Sequence, residues 1–150
     1  MSIYAINKRA TFDYELLEKM EGGLALAGFE VKAIKTGHIS LKGAFVTIKD
    51  NEFYLTNAHI PSYQQKNTPE SYDPYRSRKV LVHKRELKSL IGKIKQKGLT
   101  LVPIKVYSKR RLIKLEFAVG KGKRMMDKRE DIKEREANIS IRRALRGNKT

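Results

Sequence analysis

Two pairs of apolar runs, each pair split by a few polar residues, constrain this chain more than any other feature. Ala44-Phe-Val-Thr-Ile48 and Glu52-Phe-Tyr-Leu-Thr56 are β-branched and aromatic segments on either side of Lys49-Asp50-Asn51, the pattern of an antiparallel hairpin. Leu99–Tyr107 and Leu112–Val119 flank Ser108–Arg111 and predict a second hairpin with a short basic turn. Pro103 lacks a backbone N–H, which assigns it to an edge or a bulge of its strand. Between the hairpins, Leu87, Leu90, Ile91 and Ile94 recur at helical spacing over Lys84–Gln96, and Lys97-Gly98 ends the pattern as a glycine-terminated helix should.

The remaining elements are shorter. Gly22–Gly28 predicts a short strand between glycines, and Phe29–Thr36 a helical turn that stops at Gly37. Ile60–Arg78, with Pro61, Pro69, Pro74, Asn67 and several Ser, predicts a long loop. Short strands, glycine corners and one inserted helix describe a mainly β chain with helices, closed into a small antiparallel barrel; the oligonucleotide-binding barrel is the leading candidate. The apolar segments cease at Gly120. We therefore divide the chain into a barrel domain, residues 1–119, and a basic tail, residues 120–150, which holds one weak apolar stripe (Ala137, Ile141, Ala144, Leu145) and is expected to be disordered when free.

Charge then narrows the partner. Lys and Arg number 33 against 16 Asp and Glu, a formal net charge of +17, and the tail alone holds 11 basic and 5 acidic residues. Solubility of a small domain needs a net charge of only about 2–8, so a polyanion is the expected partner, and nucleic acid fits better than a membrane surface. Lys8-Arg9, Arg76-Ser-Arg-Lys79, Lys84-Arg85, Lys109-Arg-Arg111 and Lys121–Arg129 form separate clusters, and the turn at Ser108–Arg111 is an RNA-facing candidate. Tyr14, Tyr54, Tyr63, Tyr72, Tyr75 and Tyr107 are candidates for stacking on bases. Tyr54 and Tyr107 lie in strand patterns that favour core packing, and Tyr14, beside Asn7-Lys-Arg9, is the preferred stacking candidate.

Catalytic and metal chemistry find no support. The chain has no cysteine, and His38, His59 and His83 show no ligand spacing, so neither a metal nor any other cofactor is expected. Gly23–Gly28 matches the glycine separation of a phosphate-binding loop, but Phe29-Glu30 stands where Lys and Ser/Thr are required. Gly120-Lys-Gly-Lys lacks the third glycine of a dinucleotide fingerprint and reads as a flexible exit. Without a signal-like or membrane-spanning run, the expectation is a cytoplasmic, non-enzymatic protein acting as a monomer.

The order of short motifs carries a resemblance. Asn7-Lys-Arg-Ala10, Tyr14, Glu21-Gly-Gly23, Gly28-Phe-Glu-Val-Lys32, Asn57-Ala-His-Ile60, Asp73-Pro-Tyr-Arg-Ser-Arg-Lys79, Arg85-Glu-Leu87, Lys97-Gly98, Lys121-Gly-Lys-Arg124 and Asp127-Lys-Arg129 together resemble the bacterial SsrA-binding protein (small protein B) family over almost the whole chain. The resemblance implies an oligonucleotide-binding-like barrel that binds the tRNA-like domain of transfer-messenger RNA (tmRNA) and delivers it to stalled ribosomes in trans-translation. It implies RNA contacts at Asn7, Lys8, Arg9, Tyr14, Glu21 and Leu81, although Leu81 in its Val-Leu-Val run also reads as core and Glu21 as a local pairing partner.

For the tail, the resemblance implies a segment that probes the vacant mRNA channel and decoding centre of the small ribosomal subunit and becomes helical there. Its residues are Lys121, Gly122, Lys123, Arg124, Met126, Asp127, Lys128, Arg129, Lys133 and Arg135. Where the family often has an aromatic residue or His before the Asp, Met125-Met126 stand here, and a Met sulfur packs on a base less directionally. Elongation factor Tu and alanyl-tRNA synthetase are implied as indirect partners through the shared RNA. The reading left open beside it is a generic single-strand RNA-binding or ribosome-associated basic barrel.

Overall fold

The computed structural model describes residues 2–62 and 68–123. Its strands are β1 (Ser2–Ile6), β2 (Tyr14–Leu24), β3 (Phe45–Lys49), β4 (Glu52–Thr56), β5 (Arg78–Leu81), β6 (Thr100–Lys109) and β7 (Leu112–Gly122), and its helices are α1 (Ala10–Asp13), α2 (Gly28–Lys35) and α3 (Lys84–Lys97). All strand pairs are antiparallel, in the order β1-β6-β3-β4-β5-β2-β7, and β7 pairs back onto β6. The ring is thereby closed, and β1 shares an edge of β6 with β3. This is the mainly β, barrel-like architecture with helices that the sequence predicts.

Both hairpins form, and both use the same turn. Asp50 and Asn51 have φ of 52° and 59°, and Arg110 and Arg111 have φ of 51° and 66°; two successive left-handed residues make the tight turn whose twist suits paired strands. Pro103 sits at a bulge, where the β6–β7 register shifts between Pro103 and Lys105. Helix α3 ends at Gly98, φ 61°, and seats Leu90 and Ile91 against a core built from Phe53, Leu55, Ile60, Leu115, Phe117 and, on α2, Ile34. Phe53 and Phe117 meet edge to face, centroids 5.9 Å apart.

The sequence reading departs from this fold in four places. β1 carries no sequence signal, because SIYAI has no clean alternation. β2 is an 11-residue strand beginning at Tyr14, far upstream of the short strand expected at Gly22; its charged residues Glu15, Glu18, Lys19 and Glu21 concealed it. β5 occupies Arg78–Leu81 at the end of the expected loop. Finally, β7 runs on to Gly122, and the Lys123 N–H donates to the Asp13 carbonyl at 2.9 Å. Gly120 is therefore no flexible exit: it is buried, and a Cβ there would lie 2.8 Å from Val102 Cγ2 and 3.3 Å from Tyr14 Cβ. The expected conformation of the tail from Arg124 onward lies outside the described residues.

Candidate nucleic-acid interface

The residues singled out in the body fall into two grooves at opposite ends of β2. The first is lined by Asn7, Lys8, Arg9 and Tyr14 on one side and by Ile39–Phe45 on the other, over a floor of Thr100–Pro103. Asn7 builds it: its backbone N–H donates to the Ile104 carbonyl at 2.7 Å and its side-chain Nδ2 to the Pro103 carbonyl at 2.8 Å. The β6 bulge thus presents two consecutive carbonyls to one residue, and Asn7 Oδ1 accepts the Arg9 N–H at 3.2 Å. Arg9 is exposed but held by both oxygens of Asp13 at 3.1 Å, with its guanidinium 4.7 Å from the Phe12 ring centroid. Lys8 is exposed and has no hydrogen-bond or ion-pair partner among the described residues. Tyr14, half-buried against Gly120, presents its ring to this groove.

The far wall of that groove was missed. Lys42 is exposed, and Phe45 and Ile6 are 47% and 57% exposed, a cation beside apolar surfaces that suits stacking on an unpaired base. The signal was present in the hairpin pattern, because Val46 points inward and period-two alternation then sends Phe45 outward.

Glu21 and Leu81 meet in the second groove, which β2 (Glu18–Leu24), Leu81–His83, α3 and Leu112–Lys114 line together. Glu21 lies seven positions after Tyr14, about 23 Å along an extended strand. Leu81 pairs with Gly23 and is 52% exposed. Core burial, the other reading of its Val-Leu-Val run, is ruled out; Val80 beside it takes the core position at 2%. Glu21 does pair locally. It accepts a hydrogen bond from the Tyr107 hydroxyl and lies 3.7 Å from both Lys109 Nζ and Lys114 Nζ. The Tyr107 hydroxyl, more than the lysines, holds the Glu21 carboxyl below its ordinary pKa, against a smaller opposing effect of burial, whereas burial and Glu21 push the Tyr107 phenol up. Tyr107 is buried, in keeping with core packing.

The cluster Arg76-Ser-Arg-Lys79 corrects the expectation of a surface patch. Arg78 and Glu30 are both 0% exposed. Arg78 donates to Glu30 Oε2 at 2.8 Å, the Ala58 carbonyl at 2.7 Å, the Tyr72 hydroxyl at 2.9 Å and the Pro74 carbonyl at 2.9 Å. Arg76 donates to both oxygens of Glu30, the Tyr72 hydroxyl donates to Oε2 at 3.0 Å, and the Ala27 N–H at the start of α2 donates to Oε1 at 2.9 Å. Burial alone would raise the Glu30 pKa; Arg76, the Ala27 N–H and Arg78 outweigh it and bring it down. Lys79 pairs with Glu52 at 2.9 Å. This cluster ties the 68–78 segment to α2 and leaves little charge for a ligand. Tyr72 is absorbed in the same network, Tyr75 packs on His59 at 4.9 Å, Tyr54 is half-buried and donates to Glu52 at 3.3 Å, and Tyr63 lies outside the described residues.

Of the tail candidates, Lys121 and Gly122 close β7 opposite Glu15 and Tyr14, and Lys123 follows at the Asp13 carbonyl. Arg124, Met126, Asp127, Lys128, Arg129, Lys133 and Arg135 lie outside the described residues.

Comparison with known proteins agrees with the barrel fold. The family described as SmpB protein matches residues 4–147. An SsrA-binding protein of Thermosipho africanus is 46% identical over 150 residues, covering 99% of this chain and 100% of that one. Its counterpart in Chloroflexus aggregans is 42% identical over 146 residues, 97% of this chain and 92% of its own. A solved structure described as "tmRNA-SmpB: a journey to the center of the bacterial ribosome" superposes with a TM-score of 0.64 at 43% identity, covering 85% of this chain and 92% of the other. The barrel, the order of motifs from Asn7 to Lys123 and a match across nearly every residue have one reading: the chain belongs to the SmpB protein family.

Proposed function

We propose that this protein binds the tRNA-like domain of tmRNA and escorts it to stalled ribosomes in trans-translation, as a non-enzymatic adaptor in the cytoplasm. The observation that carries the reading is the 46% identity, over full length, to a relative named for binding SsrA RNA. The two grooves give it chemistry. Lys8 and Arg9 meet phosphates, Tyr14 offers a stacking face, Glu21 accepts from a base edge or a ribose 2′-hydroxyl, and Leu81 packs under an apolar sugar or base surface. The segment from Lys121 through Arg135 reads the ribosome: Lys121, Lys123, Arg124, Lys128, Arg129, Lys133 and Arg135 meet ribosomal RNA in the vacant mRNA channel, Gly122 lets the chain leave the barrel, and Met126 and Asp127 face the decoding centre.

The test is a titration of the full chain against a tmRNA tRNA-like domain and an elongator tRNA at two salt concentrations, with Glu21→Ala alongside. Phosphate-driven affinity collapses as salt rises, whereas shape-specific contacts persist. A preference for the tRNA-like domain that survives high salt and weakens in the variant is expected; equal, salt-sensitive binding of both RNAs would leave only a generic basic barrel. Truncation after Lys123, which spares β7, should preserve RNA binding and abolish peptide tagging.

A further inference from the structure

The β6–β7 turn is built from residues that do not suit its shape. A two-residue turn with both centres left-handed favours Asn-Gly, because a Cβ crowds the following carbonyl in that region. The β3–β4 turn meets the demand with Asp50-Asn51, whereas the β6–β7 turn places Arg110 at φ 51° and Arg111 at φ 66°. Neither guanidinium has a hydrogen-bond or ion-pair partner among the described residues, and both are exposed. A strained conformation retained with unspent charge points toward a ligand.

What surrounds the turn names the ligand. Leu112, Ile113 and Lys114, which follow it directly, line the groove that holds Glu21 and Leu81. Lys109 and Lys114 both face the one carboxylate of Glu21, Arg110 and Arg111 stand exposed in the turn between them, and Arg85 lines the same groove from α3. The other acids of this face are matched: Glu18 is held by Lys93 at 3.2 Å, Glu116 by Lys105 at 3.2 Å, and Glu86, which also lines the groove, is offset by its neighbour Arg85 on α3. An excess of cations stands at one end, and exposed Leu112 and Leu81, 59% and 52%, lie beside it. That surface fits a chain with anionic linkages and partly apolar units.

We infer that the Lys109–Arg111 turn is a phosphate clamp at the end of the Glu21–Leu81 groove. Arg110 and Arg111 hold the backbone of an RNA strand whose sugars or bases lie over Leu81 and Leu112. The clamp rests on the proposed function only for the identity of that RNA.

The test is the double substitution Arg110→Asn with Arg111→Gly, which installs the preferred turn and removes both charges, so loss of the fold is not its expected effect. Affinity of the full chain for the tRNA-like domain is titrated from low to high salt beside thermal unfolding. The expected result is an unchanged or higher Tm, roughly tenfold weaker binding near 0.1 M salt, and a log–log salt slope shallower by roughly 1.4–1.8, two contacts at about 0.7–0.9 each. Arg110→Lys with Arg111→Lys must restore the slope, because the slope counts neutralised phosphates and not the geometry of the donor. An unchanged slope in the Asn-Gly variant, as an acidic protein partner at this turn would give, overturns the clamp; so does a slope that the lysines fail to restore. Equal wild-type binding of tRNA-like domain and elongator tRNA would sink the proposed function and leave the slope comparison standing.

Discussion

Arg76-Ser-Arg-Lys79 and Lys109-Arg-Arg111 look alike as strings, and the fold uses them for opposite purposes. In the first, Glu30, Tyr72 and three backbone carbonyls engage the guanidiniums, Arg78 fully buried and Arg76 38% exposed. In the second, one carboxylate, Glu21, faces Lys109 and Lys114 while the arginines between them face solvent. A count of basic residues therefore overstates the binding surface, since part of the charge is structural. The largest expected effect sharpens this contrast through the two acids. Glu30→Gln leaves Arg78 buried without its counter-charge and should cost about 3–5 kcal/mol, a large share of the roughly 5–15 kcal/mol that holds a domain together. Glu21→Gln, on a side chain that is 34% exposed, should cost about 1 kcal/mol or less. Urea denaturation of both variants checks this; equal losses would erase the distinction.

The same acids set the response to pH. Glu30 and Glu21 both titrate below the ordinary carboxylate value, so between the native and unfolded pKa values the unfolded chain binds more protons, and stability rises with pH there. The contribution is complete above about pH 4.5 and is lost as pH falls through the lowered native values. Because Glu30 is buried and Glu21 partly solvated, the acid limb of a stability–pH curve should flatten markedly in Glu30→Gln and little in Glu21→Gln. An acid limb unchanged in Glu30→Gln would mean that other carboxylates control acid unfolding.

A third expectation tests geometry at constant charge. Arg78→Lys keeps the cation but cannot reach Glu30, Ala58, Tyr72 and Pro74 at once, and the acceptors left behind should lower stability by roughly 1–3 kcal/mol. Arg110→Lys replaces one solvated cation with another and should leave the urea midpoint where it is. A midpoint shift in Arg110→Lys as large as that in Arg78→Lys would show that the turn residue has a structural task.

These contrasts explain how much the sequence disclosed. The hairpins, the α3 helix and its Gly98 stop were legible because each rests on local periodicity or on one glycine with a required backbone. Lys8-Arg9 and Tyr14 are legible from charge and aromatic content, but Asn7 enters only through the resemblance to a family, since it acts on the β6 bulge nearly a hundred residues away and no local rule announces that. β2 was hidden because its outer face is charged, and the alternation that betrays a half-buried strand is broken by a register shift between Leu16 and Glu18. Arg78 could not be told from Arg110, because its burial depends on Glu30, 48 positions earlier in the chain. The one available hint was Glu30 itself, which stands three residues after Ala27, where a side chain reaches back to cap a helix N-terminus.

The smallest effect is the most discriminating, because it divides the first cluster from within. Lys79 belongs to the same run as Arg78, yet its contact with Glu52 is made by side chains that are 41% and 39% exposed. If membership of the run decided the energetics, Lys79→Ala would behave like a milder Arg78 substitution. If burial decides, it should behave like the arginine turn: the pair raises the Lys79 pKa and lowers that of Glu52, but water and salt screen it. Lys79→Ala should then move the unfolding free energy by no more than the roughly 10–15% scatter of a urea extrapolation, and 0.5 M salt should remove what remains. A loss that persists at high salt would place Lys79 with Arg78 after all, and would extend the structural part of the basic charge one residue further along β5 toward Leu81 and the groove.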